Sequence, residues 1–90
     1  MIVKKILYLD SFEIDFKKLP GNIQEISHKK VEFFMKNPLY PSLRLHSLKG
    51  RLEGLYSISV NNSYRIIFKR QENGDIIFIS IGKHDIYRNL

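Results

Sequence analysis

Three short runs between Leu55 and Ile81 constrain this chain more than any other feature. Leu55–Val60 alternates Tyr56, Ile58 and Val60 with Leu55, Ser57 and Ser59, and Tyr64–Arg70 alternates Tyr64, Ile66 and Phe68 with Arg65, Ile67 and Lys69. Asp75–Ile81 is apolar on both sides, with Ile77, Ile79 and Ile81 set against Ile76 and Phe78. A period of two places successive side chains on opposite faces of a strand. Asn61-Asn62 and Asn73-Gly74 stand between the runs, and each pair can supply the positive φ of a tight hairpin. The runs therefore predict an antiparallel meander.

The N-terminal half supplies what covers it. Ile2–Leu9 is apolar and reads as a first strand. Asp10 and Glu13 have capping-box spacing, with Ser11 an alternative cap, and open a short helix through about Lys18. Pro20-Gly21-Asn22 breaks that helix and starts a second, which ends near Lys36 before Asn37-Pro38. In it Ile23, Ile26, Phe33 and Phe34 share a buried side with Val31, while Gln24, Glu25, His28, Lys29 and Glu32 face water. From Leu39 to Gly54 the chain is a long, basic, partly irregular connection, and connections of that length in compact domains usually carry function. The order is β-α-α-β-β-β. It predicts an α+β fold with two N-terminal helices packed on a mainly antiparallel four-stranded sheet and a short C-terminal tail or helix. At this length, residues 1–90 make one domain.

Charge narrows the function classes. Lys and Arg number 15 against 9 Asp and Glu, a net charge of +6. The half from Arg44 onward carries eight bases and four acids, the half before it seven and five. Such a surface suits polyanions or an acidic protein partner. Zero cysteines remove disulfides and thiolate catalysis. No apolar run approaches the roughly 20 residues of a membrane span. Met1-Ile2-Val3-Lys4-Lys5 leads into no signal-peptide core, so a cytoplasmic location is expected. Without HExxH, a Cys/His set or a carboxylate cluster, neither zinc nor magnesium is expected, and without a glycine-rich loop opening a helix, nor is a nucleotide cofactor.

The residues able to do chemistry gather after Arg44. Arg65 alternates with core residues mid-strand and must emerge on the second face of the sheet. There an always-charged guanidinium could grip a phosphate and stabilise charge developing on it, or simply make a cross-strand ion pair or snorkel to water. His46, Lys49 and Arg51 fall within six residues. His84, Tyr87 and Arg88 follow the last strand, and Lys69 and Lys83 add cations on either side. Two imidazoles brought together could take the 2′-OH proton of RNA and protonate its 5′-oxygen leaving group. Tyr87 could stack on a base or move a proton. A lone histidine is more often a surface or loop-anchoring residue; His28, on the wet side of a helix, reads as surface.

The order of these pieces from Arg44 to Arg88, including the Leu-Lys-Gly loop and Tyr-Arg-Ile, resembles the RelE/ParE superfamily of small toxins. Within it the chain is most similar to the RelE and YafQ-like mRNA interferases. The resemblance implies the toxin of a type II toxin–antitoxin system, a metal-independent endoribonuclease that cleaves mRNA on the ribosome and inhibits translation. Its partners would be an acidic antitoxin, the ribosome and mRNA. It implies active-site roles for His46, Arg65, His84 and Tyr87 and a place there for Lys49 and Arg51, which with the nearby cations Lys69, Lys83 and Arg88 are expected on the RNA. Ser59 and Ser63 stand where YafQ-like members carry a His and an Asp, which leaves the general base open. The alternatives are a ParE-like inhibitor of DNA gyrase and a non-catalytic basic module that binds RNA or protein. The tail beyond Gly82 brings only Ile86 and Leu90 as large aliphatic groups, so most of the core is expected to close without it.

Overall fold

A computed structural model of the chain describes residues 1–90, the side chain of Asn89 excepted. Its elements are β1 (Ile6–Tyr8), α1 (Asp10–Lys17), α2 (Gly21–Lys36), β2 (His46–Ser47), β3 (Leu55–Ser59), β4 (Arg65–Arg70) and β5 (Ile76–Gly82). The sheet order is β1-β5-β4-β3-β2. β3, β4 and β5 form the expected antiparallel meander, and β1 joins β5 in parallel. The two helices and the loop after them carry the chain from one edge of the sheet to the other.

The α+β class is as expected, but the sheet has five strands rather than four. The addition is β2, two residues of the basic connection paired antiparallel to β3. The first strand is only Ile6–Tyr8, shorter than the apolar run that announced it. The expected capping box does not form: α1 starts after Leu9 with no side-chain cap, and Ser11 Oγ donates instead to Ile79 O at 2.7 Å. That bond docks α1 on β5, and Asp10 and Glu13 act only as acids favourable to the helix dipole.

The hairpins close in two ways. Gly74 has φ +94°, as Asn73-Gly74 predicts. Asn61-Asn62 does not use positive φ; Asn61 Oδ1 accepts from the backbone N–H groups of Ser63 and Tyr64 at 2.9 and 2.8 Å, an Asx-type closure. A further correction falls on β5. Ile67 pairs with Ser80 but Phe68 pairs with Phe78, so Ile79 is an extra residue in a bulge. The alternation flips there: Ile81 joins Ile76 and Phe78 in the core under the helices, and Ser80 pairs with Ile67 and donates through its hydroxyl to Asp15 Oδ2 of α1 at 3.0 Å.

Phe34 of α2 is fully buried, 5.1 Å from the Phe68 ring and 6.0 Å from that of Phe78. Emptying such a position costs about 3–5 kcal/mol. Phe33, expected on the same buried side, is 38% exposed and stacks on Tyr40 at 4.9 Å. One residue is 100° of helix, and Phe33 turns past the edge of the core.

The helix-side core contains no tail residue, as expected, but the tail is packed rather than loose. His84–Asn89 forms a 3-10 segment laid on the face of the sheet away from the helices. Ile67 and Ile86 are buried yet stand outside the helix-side core. A Cβ at Gly82 would lie 2.5 Å from Ile86 Cγ2, so glycine is what lets the tail come down. On the second face the tail meets Ser57 through Tyr87 and Gly82 through Ile86.

Candidate functional site

Strand register places three of the predicted residues, His46, Arg65 and Lys69, on that second face. His46 sits opposite Ser57, Ser57 opposite Ile67, and Ile67 opposite Ser80, making one row across four strands. Ser59, Arg65 and Gly82 form the next row, and Leu55, Lys69 and Ile77 the row on the other side. Paired residues of neighbouring strands point to the same side, so His46, Arg65 and Lys69 share a face.

The tail completes the set. Tyr87 is half-buried, and its hydroxyl donates to Ser57 Oγ at 3.3 Å. The exposed His84 ring lies 5.9 Å from that of Tyr87. Ser57 itself is fully buried and stands between β2 and the tail. A chain of neighbours therefore runs from His46 through Ser57 and Tyr87 to His84. His46 is exposed, and its Nδ1 lies 3.0 Å from Arg44 O.

The cations divide. Arg51 donates to the carbonyl oxygens of Tyr87 and Leu90, holding the tail against the basic loop. Arg65 donates through one terminal nitrogen to Asn61 O at 2.6 Å and Tyr64 O at 3.0 Å, tying it to the β3–β4 hairpin. Among the described residues Arg65 Nη2 and Nε make no such bond, which leaves one side of a planar fork for a phosphate. Lys49, Lys69 and Arg88 are exposed. Lys83 stands apart: its ammonium lies 5.7 Å from the centre of the Tyr64 ring, on a residue packed against the helix-side core. His28, read as surface, is exposed, though its ring edges onto Phe16 at 5.3 Å.

Ser57 is the participant that sequence reasoning missed. Its signal was a small polar residue facing the same way as Arg65 and Ile67, which says nothing of a phenol docking on it. Ser59 and Ser63, where YafQ-like members carry His and Asp, bring no titratable group: Ser59 is buried in the Arg65 row, and Ser63 is exposed in the hairpin turn. A hollow of about 380 Å³ between α1 and α2, walled by Tyr8, Phe12, Phe16 and Val31, lies on the helix side, away from these groups. Burial there pushes the Tyr8 phenol above its usual range. Among the described residues no three His, Asp or Glu side chains gather as a metal site. No helix is long and apolar enough to cross a membrane.

The sequence profile of the HigB-like toxins, RelE-like toxins of type II toxin–antitoxin systems, matches residues 12–84. The chain belongs to the HigB-like family of RelE-type toxins. The match takes in all of α2 and α1 from Phe12, the basic loop, Arg65 and His84, and ends before Tyr87 and Arg88. Solved toxin structures share the fold of this HigB-like toxin. A YoeB/ParE toxin from Agrobacterium tumefaciens superposes with a TM-score of 0.75 at 16% identity, over 90% of this chain and 99% of the other. The RelBE2 toxin–antitoxin complex of Mycobacterium tuberculosis gives 0.71 at 19% identity, over 93% and 94%. YafQ from Escherichia coli also gives 0.71 at 19% identity, over 91% and 94%. No curated protein sequence matches the chain.

Proposed function

We propose that this HigB-like toxin is a metal-independent endoribonuclease that cleaves mRNA on the ribosome, in the cytoplasm, and is held inactive by an acidic antitoxin. The observation that carries the reading is the run from His46 through Ser57 and Tyr87 to His84 on one sheet face, beside Arg65 and Lys69. A pure binding module needs cations there but not two imidazoles and an anchored phenol.

In this reading one histidine takes the 2′-OH proton and O2′ attacks the adjacent phosphorus. The P–O5′ bond breaks, and the leaving oxygen takes its proton from the other histidine or from Tyr87. The free side of the Arg65 fork and Lys69 hold the phosphate as charge builds on it. Arg51, engaged with tail carbonyls, holds His84 and Tyr87 in place rather than gripping RNA. The ribosome supplies the rest of the positioning, which suits a site built from so few groups. The antitoxin assignment follows the type II family and the solved RelBE2 complex of a relative in fold.

Induced expression followed by primer extension on a reporter mRNA tests this. Codon-phased cuts that persist on stabilised ribosome complexes in chelator are the expected result. Intact mRNA with double-strand DNA breaks would move the assignment to gyrase, and neither outcome in cells lacking an antitoxin would leave only a binding module.

A further inference from the structure

We infer that Arg44 is a positioning residue: its left-handed backbone turns a carbonyl onto His46 and so makes His46 Nε2 the proton-accepting atom of the site. Arg44 has φ +48° and ψ +44°, and among the described residues it is the only non-glycine with positive φ. L side chains resist that conformation, and glycine is the usual residue in it. Nothing local to Arg44 demands it, because its side chain is exposed. The turn is imposed from both sides. Before it, the Pro41–Leu43 3-10 turn is anchored by the fully buried Leu43, and the Arg44 N–H donates to Pro41 O at 3.2 Å. After it, the chain must enter β2 in register with Ser57.

The consequence is chemical. His46 Nδ1 is 3.0 Å from Arg44 O. A carbonyl oxygen only accepts, so Nδ1 carries the hydrogen; a neutral imidazole has one N–H, so Nε2 holds the free lone pair. Neutral imidazole in water favours the opposite tautomer, so the loop selects the minor one. Nε2 on the exposed ring is then the atom that can receive a proton. The inference rests on the proposed role of this face and assigns the base, left open by Ser59 and Ser63, to His46.

The tautomer can be read without any activity. Long-range proton–nitrogen NMR spectra of the full-length, nitrogen-labelled protein, at a pH where imidazole is neutral, should give His46 a pyrrole-type Nδ1 and a pyridine-type Nε2. Arg44→Gly and Arg44→Val both lose the guanidinium but differ in the backbone they allow. The glycine variant should keep the tautomer; the valine variant should shift it towards Nε2–H. Cleavage by Arg44→Val should fall at least about tenfold below that of Arg44→Gly, part of the roughly 10²–10⁴ a positioned base contributes. Arg44→Ala serves if the valine variant does not fold. A wild-type His46 carrying its proton on Nε2, or the same tautomer ratio in both variants, would overturn the inference. The expected spectra from a protein that cuts no mRNA would instead uphold the positioning and sink the nuclease reading.

Discussion

At the scale of single residues, Arg65 is asked to do two things at once. Its bonds to Asn61 O and Tyr64 O make it part of the hairpin, and its strand position puts it on the same face as Lys69 and, through the register of β3, His46. Arg65→Ala should therefore lower stability by about 1.5–3 kcal/mol, the range for hydrogen bonds from a charged group. In denaturant titrations this appears as an earlier midpoint. Cleavage by the fraction still folded should drop a hundredfold or more. Full cleavage by a destabilised variant would make Arg65 a hairpin tie and nothing else. Tyr8 offers a second test away from the site. Its phenol titrates above the usual range because burial disfavours the phenolate, so the unfolded chain loses that proton first as pH rises. Stability should be complete below the ordinary phenol range and decline as pH passes through it. Tyr8→Phe should flatten part of that decline in thermal melts.

At the scale of elements, the tail is the informative case. Its closest approach to the sheet is Ile86 over Gly82, where a Cβ would stand 2.5 Å from Ile86 Cγ2. Gly82→Ala should cost about 1–3 kcal/mol by overpacking, chiefly by lifting the tail. Ile86→Ala removes the offending group, so the double variant should be less unstable than the sum of the two single changes. Additive losses in that cycle would mean that the backbone at Gly82, not the contact, matters. Truncation after Gly82 removes the Tyr87 hydroxyl from Ser57 and discards the buried Ile86. It should cost about 2–5 kcal/mol, the range for losing a buried Ile side chain, and abolish cleavage. A truncated chain with unchanged midpoint would return the tail to a frayed end, as its composition suggested.

At the scale of the whole molecule, the net charge of +6 matters less than where the cations are held. Lys49 and Lys69 are free in solvent near the site, whereas Lys83 lies over the Tyr64 ring. Affinity for a single-stranded RNA oligonucleotide should fall with added salt, as phosphate contacts release counterions. Replacing Lys49 or Lys69 by alanine should lower the slope of that dependence by about 0.7 each, the value for one phosphate contact on a single strand. Lys83→Ala should leave the slope alone. Equal effects from all three lysines, measured by titration at several ionic strengths, would mean that only overall charge attracts RNA.

The sequence by itself determined the elements. Alternation along Leu55–Ile81, the break at Pro20-Gly21 and the stop at Asn37-Pro38 are local patterns, and local sterics and solvent exposure are enough to read them. That Arg65 leaves the core face follows from the same period of two. What the tertiary structure decided involves residues far apart in the chain. The bulge at Ile79 trades Ser80 for Ile81 in the core, because β5 must satisfy β4 on one side and α1 on the other. His46 becomes a strand residue only because β3 offers an open edge. Tyr87 finds Ser57 across 30 positions and Arg51 reaches Leu90 across 39, contacts whose entropic cost only a closed sheet face can offset. Which histidine nitrogen stays free depended on the handedness of one residue, Arg44, held between a buried leucine and the register of a two-residue strand.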